Sequence, residues 1–281
     1  MQAGPYTLEL KNNTLLMGVL NLTPDSFHDG GRYTSIEAAL AQAKKMEAEG
    51  ADIIDVGPES TREVLGQRTA TSIEASTEIQ RLLPVLDVLL KECRLPISID
   101  TYKSSVAALA LEAGAHMIND VWGFQRDPDM ARVVAEHNVP VTLMHNQVGT
   151  DYTQDVVHTV IDFLKRSIDI ALKAGVAEDK IILDPGSGFG KNVEQSSAVL
   201  ARLGELKALG FPVLIGTSRK SMIGKILGGV PSEERLYGTI ATTALAVSNG
   251  ANILRVHDIK ENKDAVKVTQ TILQHTTPVL S

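Results

Sequence analysis

The stretch Glu49-Gly50-Ala51-Asp52-Ile53-Ile54-Asp55-Val56-Gly57 leaves an amphipathic segment through a glycine and enters a short apolar run that carries an acid near its end. Glycine accepts the left-handed backbone that stops a helix before the chain re-enters a sheet. The same phrase recurs in Ala113-Gly114-Ala115-His116, Leu209-Gly210-Phe211-Pro212 and Asn249-Gly250-Ala251-Asn252. Working outward, β-rich apolar runs lie at 15–21, 51–57, 96–100, 116–121, 140–145, 180–184, 212–217 and 252–258. Helical patterns follow them near 35–49, 72–91, 103–113, 128–136, 155–173, 193–209, 232–248 and 260–274. Strands alternating with helices make βα units, and eight such pairs favour a closed parallel (β/α)8 barrel. Seven or nine strands would read similarly. A doubly wound open sheet is the rival, but no G-x-G-x-x-G follows the first strand.

Composition narrows the class. The chain has 281 residues, 43% of them hydrophobic and 22% charged, as in ordinary globular proteins. Neither a linker nor a low-complexity segment interrupts it, so one domain over 1–281 is expected, with a barrel core at about 15–275. Its formal net charge of −7 argues against a nucleic-acid or membrane-surface partner, which would meet a basic face. Cys93 is the sole cysteine, which forbids an intrachain disulfide and points to a reducing, cytoplasmic setting. No apolar run has the length of a membrane span, and the first twenty residues lack the pattern of a signal peptide.

In a β/α barrel the active site lies at the C-terminal ends of the strands. Those ends carry Asn21, Asp55, Asp100, Asn119-Asp120, Met144-His145, Asp184, Ser218-Arg219-Lys220 and Arg255-Val256-His257. Period-two alternation turns Ile97, Ile99, Leu254 and Val256 toward the outer helices and Ser98, Asp100, Arg255 and His257 toward the axis. A lone Asp at a strand end is ordinarily a cap or turn residue. Five polar strand ends exceed that explanation, and Asp55, Asp100, Asn119, Asp184 and Lys220 in one mouth suit a flat ligand rich in donors. Arg255 with His257 could equally form a structural ion pair, and residues 218–220 could be a solvated helix start. Together with Arg62 they gather cations at one face, which suits a phosphate-bearing substrate.

Other motifs are negative. The segment 184–191 is glycine-rich, but Pro185 and Asn192 depart from a Walker loop, and its plain reading is a tight strand-to-helix loop. Neither a H-E-x-x-H motif nor a nucleophile elbow is present, and Cys93 reads as a packing residue. His116, His137, His158 and His275 read as surface or helix-end residues.

Met17-Gly18-Val19-Leu20-Asn21-Leu22-Thr23-Pro24-Asp25-Ser26-Phe27 resembles the opening signature of the dihydropteroate synthase family. The resemblance continues through Ile54-Asp55-Val56-Gly57, Glu59-Ser60-Thr61-Arg62, Ile99-Asp100-Thr101, Ile118-Asn119-Asp120-Val121 and Leu143-Met144-His145. It runs on through 184–191, Ser218-Arg219-Lys220-Ser221 and Arg255-Val256-His257-Asp258, one motif per strand end. It implies a TIM-barrel transferase of folate synthesis, joining 6-hydroxymethyl-7,8-dihydropterin diphosphate to p-aminobenzoate. By that likeness Asp100, Asn119, Asp184 and Lys220 hold the pterin, Met144 packs on it, and Asp55 joins the same layer. Asn21, Thr61, Arg62, Arg255 and His257 take the diphosphate, with Mg²⁺ at Asn21. Phe27, Thr61, Arg62, Ser218 and Arg219 lie on the p-aminobenzoate side. A cytoplasmic homodimer is implied as well.

The match departs from the family at Pro58, where a second glycine is common, and at Glu63-Val64, where Pro-Gly is usual. His28 and Asn146 are milder departures. Two alternatives stand beside the synthase: a catalytically silent pterin-binding paralogue, and a methyltransferase acting between methyltetrahydrofolate and a corrinoid protein. Motifs 218–220 and 255–258 favour diphosphate chemistry over the methyltransferase.

Overall fold

Eight parallel strands do form a barrel. The computed structural model describes residues 1–11, 13–22, 32–58 and 73–275. The strands are β1 (Leu15–Asn21), β2 (Ile53–Gly57), β3 (Ile97–Asp100), β4 (Met117–Asp120), β5 (Val141–Met144), β6 (Ile181–Asp184), β7 (Leu214–Ile215) and β8 (Ile253–Val256). Each of β1 to β5 pairs with the next, and β8 lies between β7 and β1, with Ile253 opposite both Leu214 and Leu15. The seam between β6 and β7 is closed by a bridge from Leu183 to Val213 and by the Leu183 N–H, which donates to the Pro212 carbonyl at 2.9 Å.

Helices α1 (Arg32–Glu49), α2 (Ala75–Glu92), α3 (Ser104–Glu112), α4 (Met130–His137) and α5 (Val156–Lys173) each follow one strand. Beyond β6 the pattern is more broken. The expected helix 193–209 is two, α6 (Val193–Ala201) and α7 (Leu203–Lys207), with Arg202 between them out of helical geometry at φ −108° and ψ 24° and its guanidinium paired with Asp155 and Glu205. A six-residue helix α8 (Ser221–Ile226) precedes α9 (Leu236–Ser248) and α10 (Ile259–Leu273), and it is too short to show a helical period in sequence. Strand β7 is shorter than expected, since Pro212 has no N–H for the ladder. The left-handed backbone expected at the recurrent glycines is present, at φ +93° for Gly50 and +110° for Gly114.

Alternation splits the strand side chains into two populations. Ile97, Ile99, Leu254 and Val256 pack outward among the helices with Leu16, Ile54, Ile118, Leu143 and Leu183. Met17, Ile53, Met117, Ile182, Leu214 and Ile253 fill the lower half of the barrel interior, joined by Ala3, Leu8 and Leu10. The latter three belong to an N-terminal segment that sequence reading did not single out. Its antiparallel hairpin pairs Gln2 with Thr7 and Ala3 with Tyr6, and plugs the N-terminal end of the barrel. Lys180 donates to the Gln2 carbonyl at 2.6 Å. His116 is part of this floor rather than a surface residue. Its Nδ1 accepts the Ile97 N–H at 3.0 Å, its ring meets Tyr6 edge-on at 5.0 Å, and burial lowers its pKa.

The interior is thus apolar at the bottom and polar at the top. Truncating the floor should leave a cavity with no polar group to admit water. Ile53→Ala, at a wholly buried position, should cost about 2–5 kcal/mol in urea denaturation.

Candidate functional site

Above the floor the inward positions turn from apolar to polar. Asp55 on β2, Ser98 and Asp100 on β3, Asn119 on β4, Thr142 on β5 and Asp184 on β6 are all buried. Register brings them side by side, with Asp55 opposite Ser98, Asp100 opposite Asn119, and Met144 opposite Asp184. A cavity at the C-terminal mouth is lined by Asp100, Asn119, Met144, Asp184, Ser218, Lys220, Arg255 and His257. Val19, Val121, Phe189 and Gly216 complete its wall.

Arg255 is the cation inside this layer. Its Nε donates to Asp55 Oδ2 at 2.7 Å and its Nη2 to Asp100 Oδ2 at 2.8 Å. Burial works against the guanidinium charge, but the two carboxylates outweigh it and hold the pKa above the ordinary value. Asn119 Nδ2 donates to Asp55 Oδ2 at 3.1 Å. An ionised carboxylate can only accept, so the amide nitrogen must face Asp55. That leaves Asn119 Oδ1, buried and without a hydrogen bond among the described residues, as an acceptor in the cavity wall.

Asp184 Oδ1 accepts the Gly186 N–H at 2.7 Å. Burial raises its pKa, opposed first by the nearby Lys220. Lys220 donates to the Ser187 carbonyl and sits 4.7 Å from the centre of the Phe189 ring. The mouth therefore offers carboxylate and amide acceptors at Asp100, Asp184 and Asn119, and an ammonium donor at Lys220. That set matches the edge of a flat amino-heterocycle.

His257 is oriented by Ser218. The His257 backbone N–H donates to Ser218 Oγ at 3.1 Å, and the same Oγ lies 3.0 Å from His257 Nδ1. The serine hydroxyl thus holds both the backbone and the ring of His257, which fixes the direction in which the imidazole faces the mouth. Arg219 stands apart: it forms a bidentate pair with Asp258 at 2.8 and 2.6 Å and does not line the cavity. Its φ of +55° turns it away from its neighbours Ser218 and Lys220.

Most of the residues expected at the site therefore meet at one mouth. Asp55 does not line the cavity; it lies beneath, fully buried, supporting Arg255 and Asn119. Asn21 ends β1 in an exposed position opposite Gly57. Phe27, Thr61 and Arg62 lie outside the described residues. Val19, Gly216 and Phe189 were not foreseen. Alternation along β1 and β7 would have found the first two, whereas Phe189 reaches the cavity from a loop.

Residues 17–257 match the family model described as pterin binding enzyme. The chain is 46% identical to a dihydropteroate synthase of Clostridium beijerinckii, over 98% of this chain and 100% of that one. It superposes on the dihydropteroate synthase of Clostridium difficile determined with pteroic acid, with TM-score 0.90, 48% identity, and coverage of 95% and 99% of the two chains. The Xanthomonas albilineans dihydropteroate synthase with 4-aminobenzoic acid aligns at TM-score 0.88 and 41% identity, covering 95% of each chain.

Burial pushes the Asp100 pKa up to about 7, against the pull of Arg255 and with a push from Asp55. A folded pKa above the unfolded one favours the native state at low pH. This contribution is full below about pH 4 and is lost as the pH rises through about 7. The Asp100 carboxyl carbon, followed by NMR, should titrate near 7, and Arg255→Met should move its midpoint higher. A wild-type midpoint near 4 would contradict this account.

Proposed function

From the premise that this chain belongs to the pterin-binding enzymes, we propose that it carries out the dihydropteroate synthase reaction. It is a transferase of folate synthesis: 6-hydroxymethyl-7,8-dihydropterin diphosphate and p-aminobenzoate give 7,8-dihydropteroate and diphosphate. The observation that carries this reading is the cavity whose wall combines Asp100, Asn119, Asp184 and Lys220 with Arg255 and His257. Acceptors for ring N–H groups and a donor for a ring carbonyl stand beside cations that suit a diphosphate.

In this reading Asp100, Asn119 and Asp184 accept from the amino-pyrimidinone edge of the pterin, Lys220 donates to its carbonyl, and Met144 packs against its face. Asp55 serves the same layer from below, through Arg255 and Asn119. Arg255 and His257 face the diphosphate as it leaves the pterin methylene, where preorganised donors are worth most. No nucleophile of the protein is needed, because the arylamine nitrogen attacks that methylene directly. Carboxylates near the ring favour positive charge there as the carbon–oxygen bond breaks, so we assign the substitution a dissociative character. Phe27, Thr61, Arg62 and Ser218 are assigned to the p-aminobenzoate side, with Thr61 and Arg62 also reaching the diphosphate; Arg219, expected there as well, is instead paired with Asp258 outside the cavity.

Asn21 fits Mg²⁺ in a limited sense. No group of three His, Cys, Asp or Glu able to hold a metal occurs among the described residues. A single amide oxygen at a strand end suits an ion held mainly by substrate phosphates. When bound, Mg²⁺ would neutralise charge on the leaving diphosphate.

We further assign the protein to the cytoplasm, as one domain over 1–281 with a barrel core at about 15–275, and without nucleic-acid or membrane partners. No helix among the described residues is long and apolar enough to cross a membrane. A homodimer is supported by exposed apolar side chains on α9 and α10, namely Tyr237, Leu245, Val268 and Ile272.

The decisive assay supplies pterin diphosphate, Mg²⁺ and p-aminobenzoate, and follows diphosphate release with dihydropteroate formation. Tight pterin binding without product would favour the silent paralogue. Lys220→Ala should weaken pterin binding by about 1.5–3 kcal/mol, as expected for a bond to a charged group, whereas Arg255→Ala should mainly raise the KM for the diphosphate substrate. Chelation should abolish turnover, and added Mg²⁺ should restore it. Ile272→Glu should shift a dimer to a monomer in sedimentation; an unchanged mass would place the interface elsewhere.

A further inference from the structure

The loop from β6 to α6 encloses a cation that the proposed chemistry does not use. Lys191 is only 5% exposed, and its Nζ lies 2.7 Å from His145 Nδ1, 3.0 Å from the Gly186 carbonyl and 3.1 Å from the Phe189 carbonyl. An ammonium has three protons, and these are three acceptors. Burial drives the Lys191 pKa well below its ordinary value, with the nearby Asp184 opposing that shift; while the ammonium keeps its third proton, His145 presents a bare Nδ1 and carries its own proton on Nε2. Burial, with Lys191 adding to it, lowers the His145 pKa to about 2, so the imidazole stays neutral. Burying an ammonium is costly, and a packed apolar side chain would avoid the cost.

The loop that Lys191 holds has little stiffness of its own. Gly186, Gly188 and Gly190 all have positive φ, at +68°, +78° and +61°. It also runs hard against the chain beyond β5. A Cβ on Gly186 would lie 2.0 Å from the His145 carbonyl oxygen, and one on Gly190 would lie 2.6 Å from that of Gln147. Two loop carbonyls end on Lys191, and the Gly190 carbonyl accepts the Tyr152 hydroxyl at 2.9 Å. From this held position the loop presents the Ser187 carbonyl and the Phe189 ring to Lys220. Phe189 also lines the cavity, whereas Lys191 does not.

We propose that Lys191, seated on His145, is a positioning residue for pterin recognition: it sets the 185–190 loop, which in turn aims Lys220 and shapes the wall at Phe189. The proposal rests on the reading of Lys220 as a pterin contact.

The test compares wild type, Lys191→Met, His145→Leu and His145→Gln, using 6-hydroxymethylpterin as the probe in calorimetry. Lys191→Met and His145→Leu should each raise its Kd about tenfold, as loss of a charged hydrogen bond does, while the KM for p-aminobenzoate stays within about twofold. His145→Gln can replace the lost acceptor and should recover most of the affinity. In wild type, ¹⁵N NMR should show His145 protonated at Nε2 and bare at Nδ1. A folded Lys191→Met that binds pterin like wild type, or a protonated Nδ1, overturns the proposal. If Lys191→Met does not fold, the His145 spectrum and the Leu/Gln pair decide it. Lys220→Ala separates the two readings. Unchanged pterin binding there defeats the assignment of the site, whereas loss there with no effect at Lys191 defeats only this inference.

Discussion

A guanidinium from the last strand, held between carboxylates from the second and third, allows a charged layer to exist inside a closed barrel. Asp55 and Asp100 are both buried and share Arg255 at 2.7 and 2.8 Å. Without it, two neighbouring carboxylates would face each other in a medium that penalises each of them. The cost has not vanished, since burial still holds the Asp100 pKa near 7. The arrangement also joins residues about 155 and 200 positions apart in the chain. It therefore forms only once the barrel has closed.

The rest of the molecule supports this layer. Below it, Met17, Ile53, Met117, Ile182, Leu214 and Ile253 form a dry floor sealed by the N-terminal hairpin. Outside it, Ile97, Ile99, Leu254 and Val256 pack against the helices and fix which way each strand faces. A one-residue slip would exchange these two sets, so the apolar outer face holds the polar inner one in register. Stability and binding are thus separated along the barrel axis. Apolar contacts dominate one end, and the other can afford buried charge.

Much of this was legible in the chain. Strand positions followed from short β-rich runs, the helix stops from Gly50, Gly114, Gly210 and Gly250, and the inward direction of Arg255 from simple alternation. The departures have physical causes. The break at Arg202 sits where its guanidinium reaches Asp155, 47 positions away in the chain, a contact that no local period reveals. The hairpin at 2–7 is too short to show a period, and its worth lies in what it covers. His116 resembled a surface residue because its partners, the Ile97 N–H and Tyr6, come from elsewhere in the chain.

Taken alone, the amino-acid order determined the βα repeat, the parallel barrel and the collection of polar residues at the strand ends, because periodicity and glycine stops are local properties. Only the tertiary structure decided how those residues divide their work. It put Asp55 beneath the cavity rather than in its wall, turned Arg219 onto Asp258, and seated Lys191 on His145. Each of these outcomes depends on a partner from a distant strand or loop, and on the desolvation that barrel closure imposes. A linear pattern carries neither quantity.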